Sequence, residues 1–492
     1  MRKLMRSQMS SRRDFLQQSI ACLSLSAIPT GVMAGEKVRH YQLTAEPTPH
    51  FFDDKPVPTN LWLYNRQSPG PLISATKGDI LDVEFINNLN QPTTIHWHGI
   101  RNINEMDGVP DLTQAAVEPG ERFRYRFPLN DAGTFWYHAH NKAWEQVARG
   151  LYGPLIVRDS DEISGDRDVL IVADDWLINE EEQIDATSFG SLGHWSHGGR
   201  LGNALSINGK FAPSLPIPSA GPVRLRLINT ANARVLTFAL SSAAPGDMPE
   251  DQTGNQSGDQ AGDPSDNLVL RVINIDGSPC APFDVDRVTL GPAQRVDLEI
   301  SDASQLKTLL EISTGQTLEA ASFTPVATVQ TEQTRLTESR PYYPQPNTAN
   351  AKLVDIHMQG GAMGNLSSAI FEGEMRGLRD LAMNEQKLWA FNGHIGGYDH
   401  ILAEINLGEV VVVRVWNDSA WPHSMHLHGQ HFWVNSREFG TEQRPLLRDT
   451  YLMQPREKAD LVFVADNPGM WLFHCHMLEH HASGMGGVIA VS

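Results

Sequence analysis

The most reactive combination of side chains lies between His474 and Met485, in the run His474-Cys475-His476-Met477-Leu478-Glu479-His480-His481-Ala482-Ser483-Gly484-Met485. A cysteine stands between two histidines. A further histidine follows it by five residues and a methionine by ten. Thiolate, imidazole and thioether together make the ligand set of a blue-copper electron-transfer site. The two flanking histidines exceed what one such metal needs. They point to a second metal centre next door, with its other ligands elsewhere in the chain.

Those ligands are found by self-similarity. The run from Gly78 to Asn88 leads to Thr94-Ile95-His96-Trp97-His98-Gly99. The run from Gly408 to Asp418 leads, without a gap, to Ser424-Met425-His426-Leu427-His428-Gly429. Downstream, Asp131-Ala132-Gly133-Thr134-Phe135-Trp136-Tyr137-His138-Ala139-His140 matches Asn467 to His476, and Gly150 to Val157 matches Gly484 to Val491. Ala139 and Leu151 stand where the later copy has Cys475 and Met485, so only the later copy can build a thiolate site. A middle copy, Gly221 to Asn229, keeps the strand pattern and has lost the histidines. Of the 19 histidines, ten fall in four clusters: His96/His98, His138/His140, His423/His426/His428 and His474/His476/His480. Alternate residues of a strand share a face, so each His-Xaa-His pair aims two imidazoles the same way. Cys475 then faces away from its flanking histidines. A pseudo-twofold meeting of the first and third copies would gather all eight paired imidazoles at one interface.

The elements that must position these groups are short strands, marked by alternating apolar and polar residues with Gly, Pro and Asn punctuation. The expected fold is all-β, three consecutive Greek-key β-sandwich domains of one ancestry. The expected boundaries are 35–160 for the first, 161–331 for a middle spacer, 332–350 for a Pro-rich linker and 351–492 for the third. Residues 241–267, rich in Gly, Asp, Gln and Ser, read as a solvated acidic loop. Residues 1–34 read as a twin-arginine export signal: Arg12-Arg13-Asp14-Phe15-Leu16, an apolar run, then Val32-Met33-Ala34. That predicts a periplasmic protein handled by the Tat machinery. No later apolar run is long enough to span a bilayer. The net charge is −19, and nothing suggests a nucleic-acid partner, which would usually need a basic patch. The three cysteines, Cys22, Cys280 and Cys475, do not make a disulfide scaffold; Cys280 is expected to be buried and inert. A monomer is expected.

The four motifs resemble those of the multicopper oxidases, the family of laccases, cuprous oxidases and ascorbate oxidases, whose domains are cupredoxin sandwiches. The resemblance spans essentially the whole chain after the leader. It implies four copper ions. His423, Cys475, His480 and Met485 would bind a type 1 copper, His96 and His426 a type 2 copper, and His98, His138, His140, His428, His474 and His476 a type 3 pair. It further implies one-electron oxidation of a phenolic or aromatic substrate or a metal ion, Cu(I) or Mn(II), coupled to four-electron reduction of O2 to water. His474-Cys475-His476 would be the electron route. Asp107 and Glu479 match positions that carry protons in related enzymes. Asp449 matches a position near the type 1 rim that touches substrate, with a turn-forming Asp as the competing reading. Met358, Met363, Met375 and Met383 fall where cuprous oxidases carry a methionine-rich insert, and core packing or loop methionines explain them at least as well. A dedicated periplasmic cuprous oxidase for copper tolerance, or a non-enzymatic copper-binding protein, are the alternatives. A copper nitrite reductase would not need eight paired imidazoles.

Overall fold

The computed structural model describes residues 37–53, 56–159, 167–245, 267–327, 340–441 and 443–492. The expected leader, most of the acidic loop and the first part of the linker lie outside these residues. The described part of the linker, 340–350, carries no strand or helix.

Alternation in sequence becomes alternation in burial. In the strand Ile80–Asn87, Leu81, Val83 and Phe85 are fully buried while Glu84 is exposed. That strand is central in a four-stranded sheet with Thr59–Tyr64, Val38–His50 and Arg122–Pro128. A second four-stranded sheet, ordered Ile73–Thr76, Tyr152–Arg158, Gly133–Ala139, Ile95–His98, closes the first sandwich. The last sandwich repeats the plan. Lys352–Gly360 runs parallel to Val410–Asn417, as Val38–His50 does to Ile80–Asn87. The strands His423–Leu427 and Gly469–Cys475 pair as Ile95–His98 and Gly133–Ala139 do. The middle sandwich has a six-stranded and a five-stranded sheet, and Cys280 is buried in its core. The chain is an all-β protein of three cupredoxin-like sandwiches. Among the described residues no helix is long and apolar enough to cross a membrane.

Each sandwich has its own apolar core. A further cluster joins them: Leu61 and Trp136 from the first, Trp176 and Ile228 from the middle, and Leu478 from the last. Burying one such side chain contributes roughly 1.5–3 kcal/mol, so the sandwiches are held in fixed relation where the histidine strands meet.

Candidate metal centre

Register places the donors. In the first sandwich His96 lies directly across from His138, and in the last His426 lies across from His474. Trp97 points into the first core, and Cys475 points into the last one with Met425 and Met485. The face reversal expected around Cys475 is therefore realised, and it separates two clusters of donors.

The first cluster is the thiolate one. Cys475 Sγ lies 3.5 Å from His423 Nδ1 and 3.8 Å from His480 Nδ1, and the two nitrogens are 3.1 Å apart. The centre of that triangle is about 2.0 Å from each corner, a metal–imidazole bond length. The outer nitrogens are held: His423 Nε2 meets Ser419 Oγ at 2.9 Å, and His480 Nε2–H donates to the His197 carbonyl at 2.6 Å. Met485 is fully buried in the same core. Burial pushes the Cys475 thiol up to about 12, so a bound cation is what would make it a thiolate near neutrality.

The second cluster contains the eight paired imidazoles, all buried, with His96, His98, His138 and His140 from the first sandwich and His426, His428, His474 and His476 from the last. His96 Nε2 faces His426 Nε2 at 3.5 Å, His428 Nε2 faces His474 Nε2 at 3.0 Å, and His138 Nε2 faces His476 Nε2 at 3.3 Å. His140 forms a triad with His428 and His474, and His98 one with His96 and His138. The other nitrogens settle the tautomers. His96 Nδ1–H donates to the Asp107 carbonyl and His426 Nδ1–H to the Asp449 carbonyl, both at 2.8 Å. His428 Nδ1–H donates to Asp107 Oδ2 at 2.8 Å, and His474 Nδ1–H to the Cys475 carbonyl at 3.0 Å. A neutral imidazole has one N–H and one lone pair. The facing Nε2 atoms of His96 and His426 are thus both lone pairs, as are those of His428 and His474. Such pairs repel unless a cation lies between them. Both ring nitrogens of His140 and Nδ1 of His98 are buried without a protein partner, a costly state that a metal would relieve. Burial holds His98, His138, His140, His426, His428 and His474 far below the ordinary histidine value and His476 down to about 3. These seven stand ready as neutral imidazoles, and the donor set fits copper.

The acids are placed differently from one another. Asp107 is buried against both His96 and His428, bridging two of the ligand groups. Glu479 is buried on the short helix Leu478–Ala482. Its Oε1 accepts from Asn232 Nδ2 at 3.0 Å, and desolvation raises its carboxyl above the usual range. Asp449 does not lie at the rim of the thiolate site as expected for a substrate contact. Its exposure is 0%. It pairs with Arg295 at 2.5 and 2.7 Å and lies 3.3 Å from His98 Nε2. A buried guanidinium, invisible to the motif, pulls it inward to the imidazole cluster.

Several contacts escape sequence reasoning. Ser419, the His197 carbonyl, Asn232 and Arg295 have no spacing signal, because each meets its partner only through the fold. His481 packs against His474 with ring centroids 4.3 Å apart and planes tilted by 41°; its doubling after His480 is the one visible hint. Of the four methionines, Met358 is core, whereas Met363, Met375 and Met383 are 74%, 65% and 66% exposed.

Fold and donors together define a copper-binding, cupredoxin-type oxidoreductase. Residues 46–162 and 374–492 match two multicopper oxidase family profiles. The chain is 27% identical over 533 residues to the multicopper oxidase MmcO of Mycobacterium tuberculosis, covering 96% of this chain and 95% of that one. It is 25% identical to the L-ascorbate oxidase of Cucumis sativus, covering 92% and 89%. A multicopper oxidase crystal structure from Pseudomonas thermotolerans shares 29% identity with a TM-score of 0.72, covering 93% of this chain and all of that one. The chain belongs to the multicopper oxidases, laccase-like enzymes that use copper and O2.

Proposed function

We propose that this enzyme couples one-electron oxidation of phenolic or aromatic substrates, or of Cu(I) or Mn(II), to four-electron reduction of O2 to water. In this reading His423, Cys475, His480 and Met485 hold a type 1 copper. His96 and His426 hold a type 2 copper, and the other six paired histidines hold a type 3 pair, four copper ions in all. Residues 1–34 direct Tat export, and the enzyme works in the periplasm as a monomer. The observation that carries the reading is the set of lone pairs facing one another across the eight-histidine cluster, one covalent step from a thiolate site. The copper ions supply one-electron acceptance at the thiolate end and four-electron delivery at the imidazole end.

The chain's own residues do the rest. His480 presents its edge to the His197 carbonyl, and His197 is exposed, so a reductant can approach there. His474-Cys475-His476 joins the two clusters through bonded atoms. Asp107 holds His428 and His96 in their ligating tautomers and is placed to hand on a proton. Glu479, its carboxyl raised above the usual range by burial and accepting from Asn232 Nδ2 at 3.0 Å, is the second acid placed to carry protons.

A second reading, a cuprous oxidase for copper tolerance, is favoured by the exposed thioethers. Trp421, two residues before His423, donates Nε1–H to the carbonyl of Ala362 at 3.0 Å, next to exposed Met363. Soft thioethers collect Cu(I). The test is to load purified protein with copper, count the ions, record visible and electron paramagnetic resonance spectra, and follow O2 uptake. A phenolic dye, Cu(I) and Mn(II) are offered in turn. Turnover of the dye supports the first reading, and turnover of Cu(I) alone supports the second. No blue band and no O2 uptake would leave a copper-binding protein without catalysis.

A further inference from the structure

The middle sandwich supplies none of the expected copper ligands, yet one of its side chains reaches the imidazole cluster. Arg295, on the strand Arg295–Ile300, is fully buried. Its Nη1 and Nη2 donate to the two carboxylate oxygens of Asp449 at 2.7 and 2.5 Å, a bidentate pair. Its Nε donates to the Thr134 carbonyl of the first sandwich at 3.1 Å, and Nη1 also to the Ala293 carbonyl of its own at 3.2 Å. One guanidinium thus touches all three sandwiches. Buried Asp276 and partly buried Arg448 lie beside it: Arg295 N–H donates to Asp276 Oδ1 at 2.9 Å, and Arg448 Nη1 to Asp276 Oδ2 at 3.1 Å.

What Asp449 does with its fixed position is the consequential part. Its carbonyl accepts from His426 Nδ1 at 2.8 Å. Its carboxylate accepts from the Thr450 hydroxyl at 2.7 Å, and Thr450 Oγ1 accepts from His98 Nε2–H at 2.9 Å. These bonds leave His426 with Nε2, and His98 with Nδ1, as the free lone pair. The packing has no slack: a Cβ at Gly99, the residue after His98, would lie 2.5 Å from both Arg295 Nη2 and Asp449 Oδ2.

We infer that Arg295 is a positioning residue for the type 2 copper and the adjoining type 3 position, acting through Asp449 and Thr450 to fix the tautomers and angles of His426 and His98. This rests on the copper assignment proposed above. The effect is selective. No donor of the thiolate site touches Arg295, so losing the guanidinium should disturb one centre and spare the other. Outer partners of metal-bound histidines typically contribute ten- to hundred-fold in metal affinity.

The experiment compares wild type with Arg295→Met, Arg295→Lys, Thr450→Val and Arg101→Met, each equilibrated with copper at one fixed free concentration. The readouts are copper per chain, the type 2 paramagnetic signal and the blue absorption. Arg101 is the control for docking alone. It joins Asp131 to Asp466, across the same two sandwiches, at 2.8 and 2.9 Å. Arg295→Met should bind close to one copper fewer, lose the type 2 signal and stay blue. Arg295→Lys should lie between it and wild type. Thr450→Val, nearly isosteric and leaving every charge paired, should weaken the same copper without unfolding the protein. Arg101→Met should keep all four ions. The inference is overturned if Thr450→Val and Arg295→Lys both load like wild type. It is also overturned if the blue and type 2 signals fall together, or if Arg101→Met loses the same copper. A wild-type protein that never takes up four ions would instead refute the copper assignment itself.

Discussion

Asp107 offers the sharpest separation of structure from chemistry at this site. Its carboxylate accepts from His428 Nδ1 at 2.8 Å and its carbonyl from His96 Nδ1 at 2.8 Å. Replacing it by alanine keeps the carbonyl but removes the acceptor for His428, stranding a buried N–H. That costs about 1–3 kcal/mol. At roughly 1.4 kcal/mol per decade, the copper held by His428 should bind about five- to hundred-fold more weakly. Asparagine is different: its amide oxygen can accept from the same N–H, so copper should stay, but the amide cannot release and regain a proton near neutral pH. Losing a positioned proton carrier costs typically 10²–10⁴-fold in rate. Copper content by equilibrium dialysis and O2 uptake at saturating reductant separate the two. The expected pattern is Asp107→Ala poor in copper and Asp107→Asn full of copper but slow. If Asp107→Asn turns over at the wild-type rate, the carboxyl moves no proton. If Asp107→Ala keeps all its copper, the hydrogen bond to His428 does not position that ligand.

Cys475→Ser should abolish the blue absorption and dye turnover while copper still loads at the eight histidines; dye turnover that survives would remove the tripeptide as the electron route. Met485→Leu, which deletes the buried thioether, should raise the potential of the blue centre in a redox titration, and a fall would mean that Met485 is not the axial ligand. Metal-free protein should lose stability as pH falls from about 6.5 toward 4. Burial holds His480 and His481 down to about 4, so between these limits the unfolded chain binds protons that the folded chain refuses. Each such imidazole contributes a slope of about 1.4 kcal/mol per pH unit; thermal unfolding that is flat across this range would show those histidines to be solvated. Glu479→Gln should keep its contact with Asn232 and all bound copper but slow O2 reduction, so unchanged turnover would exclude Glu479 from proton delivery.

The donor residues were legible because their order is local. A His-Xaa-His pair in a strand declares its face, and Cys475 between two such histidines declares the opposite one; both statements need only the strand period. The internal repeat then located the partners, since His96 and His426 occupy corresponding places and do lie across from His138 and His474. Asp449 shows where such reading stops. Its neighbours Arg448 and Thr450 suggest a strand-end turn or a surface contact. Its actual position is set by Arg295, far away in sequence, whose charge makes burial of the carboxylate affordable. The same holds for Ser419 against His423 and the His197 carbonyl against His480. A backbone carbonyl has no side-chain identity to read, and a lone Arg or Ser has no period.

The middle sandwich was expected to be a spacer because its copy of the repeat lost the histidines. Its contacts argue for a larger part. It receives the outer N–H of His480 through the His197 carbonyl, and it meets Glu479 through Asn232. It also accepts the Ser424 hydroxyl at the Pro292 carbonyl, and clamps Asp449 through Arg295. These four contacts fall on both centres. The thiolate donors all come from the last sandwich, so that centre can hold its geometry while the sandwiches shift against each other. The eight imidazoles come from two sandwiches and share no covalent frame, so their geometry is only as good as the docking. A third body bonded to both partners, with a bidentate ion pair at the seam, converts two separate contacts into one rigid junction. Losing histidines from the middle copy and gaining contacts that hold the ligands, His480 directly and His426 and His98 through Asp449, are therefore parts of one division of labour.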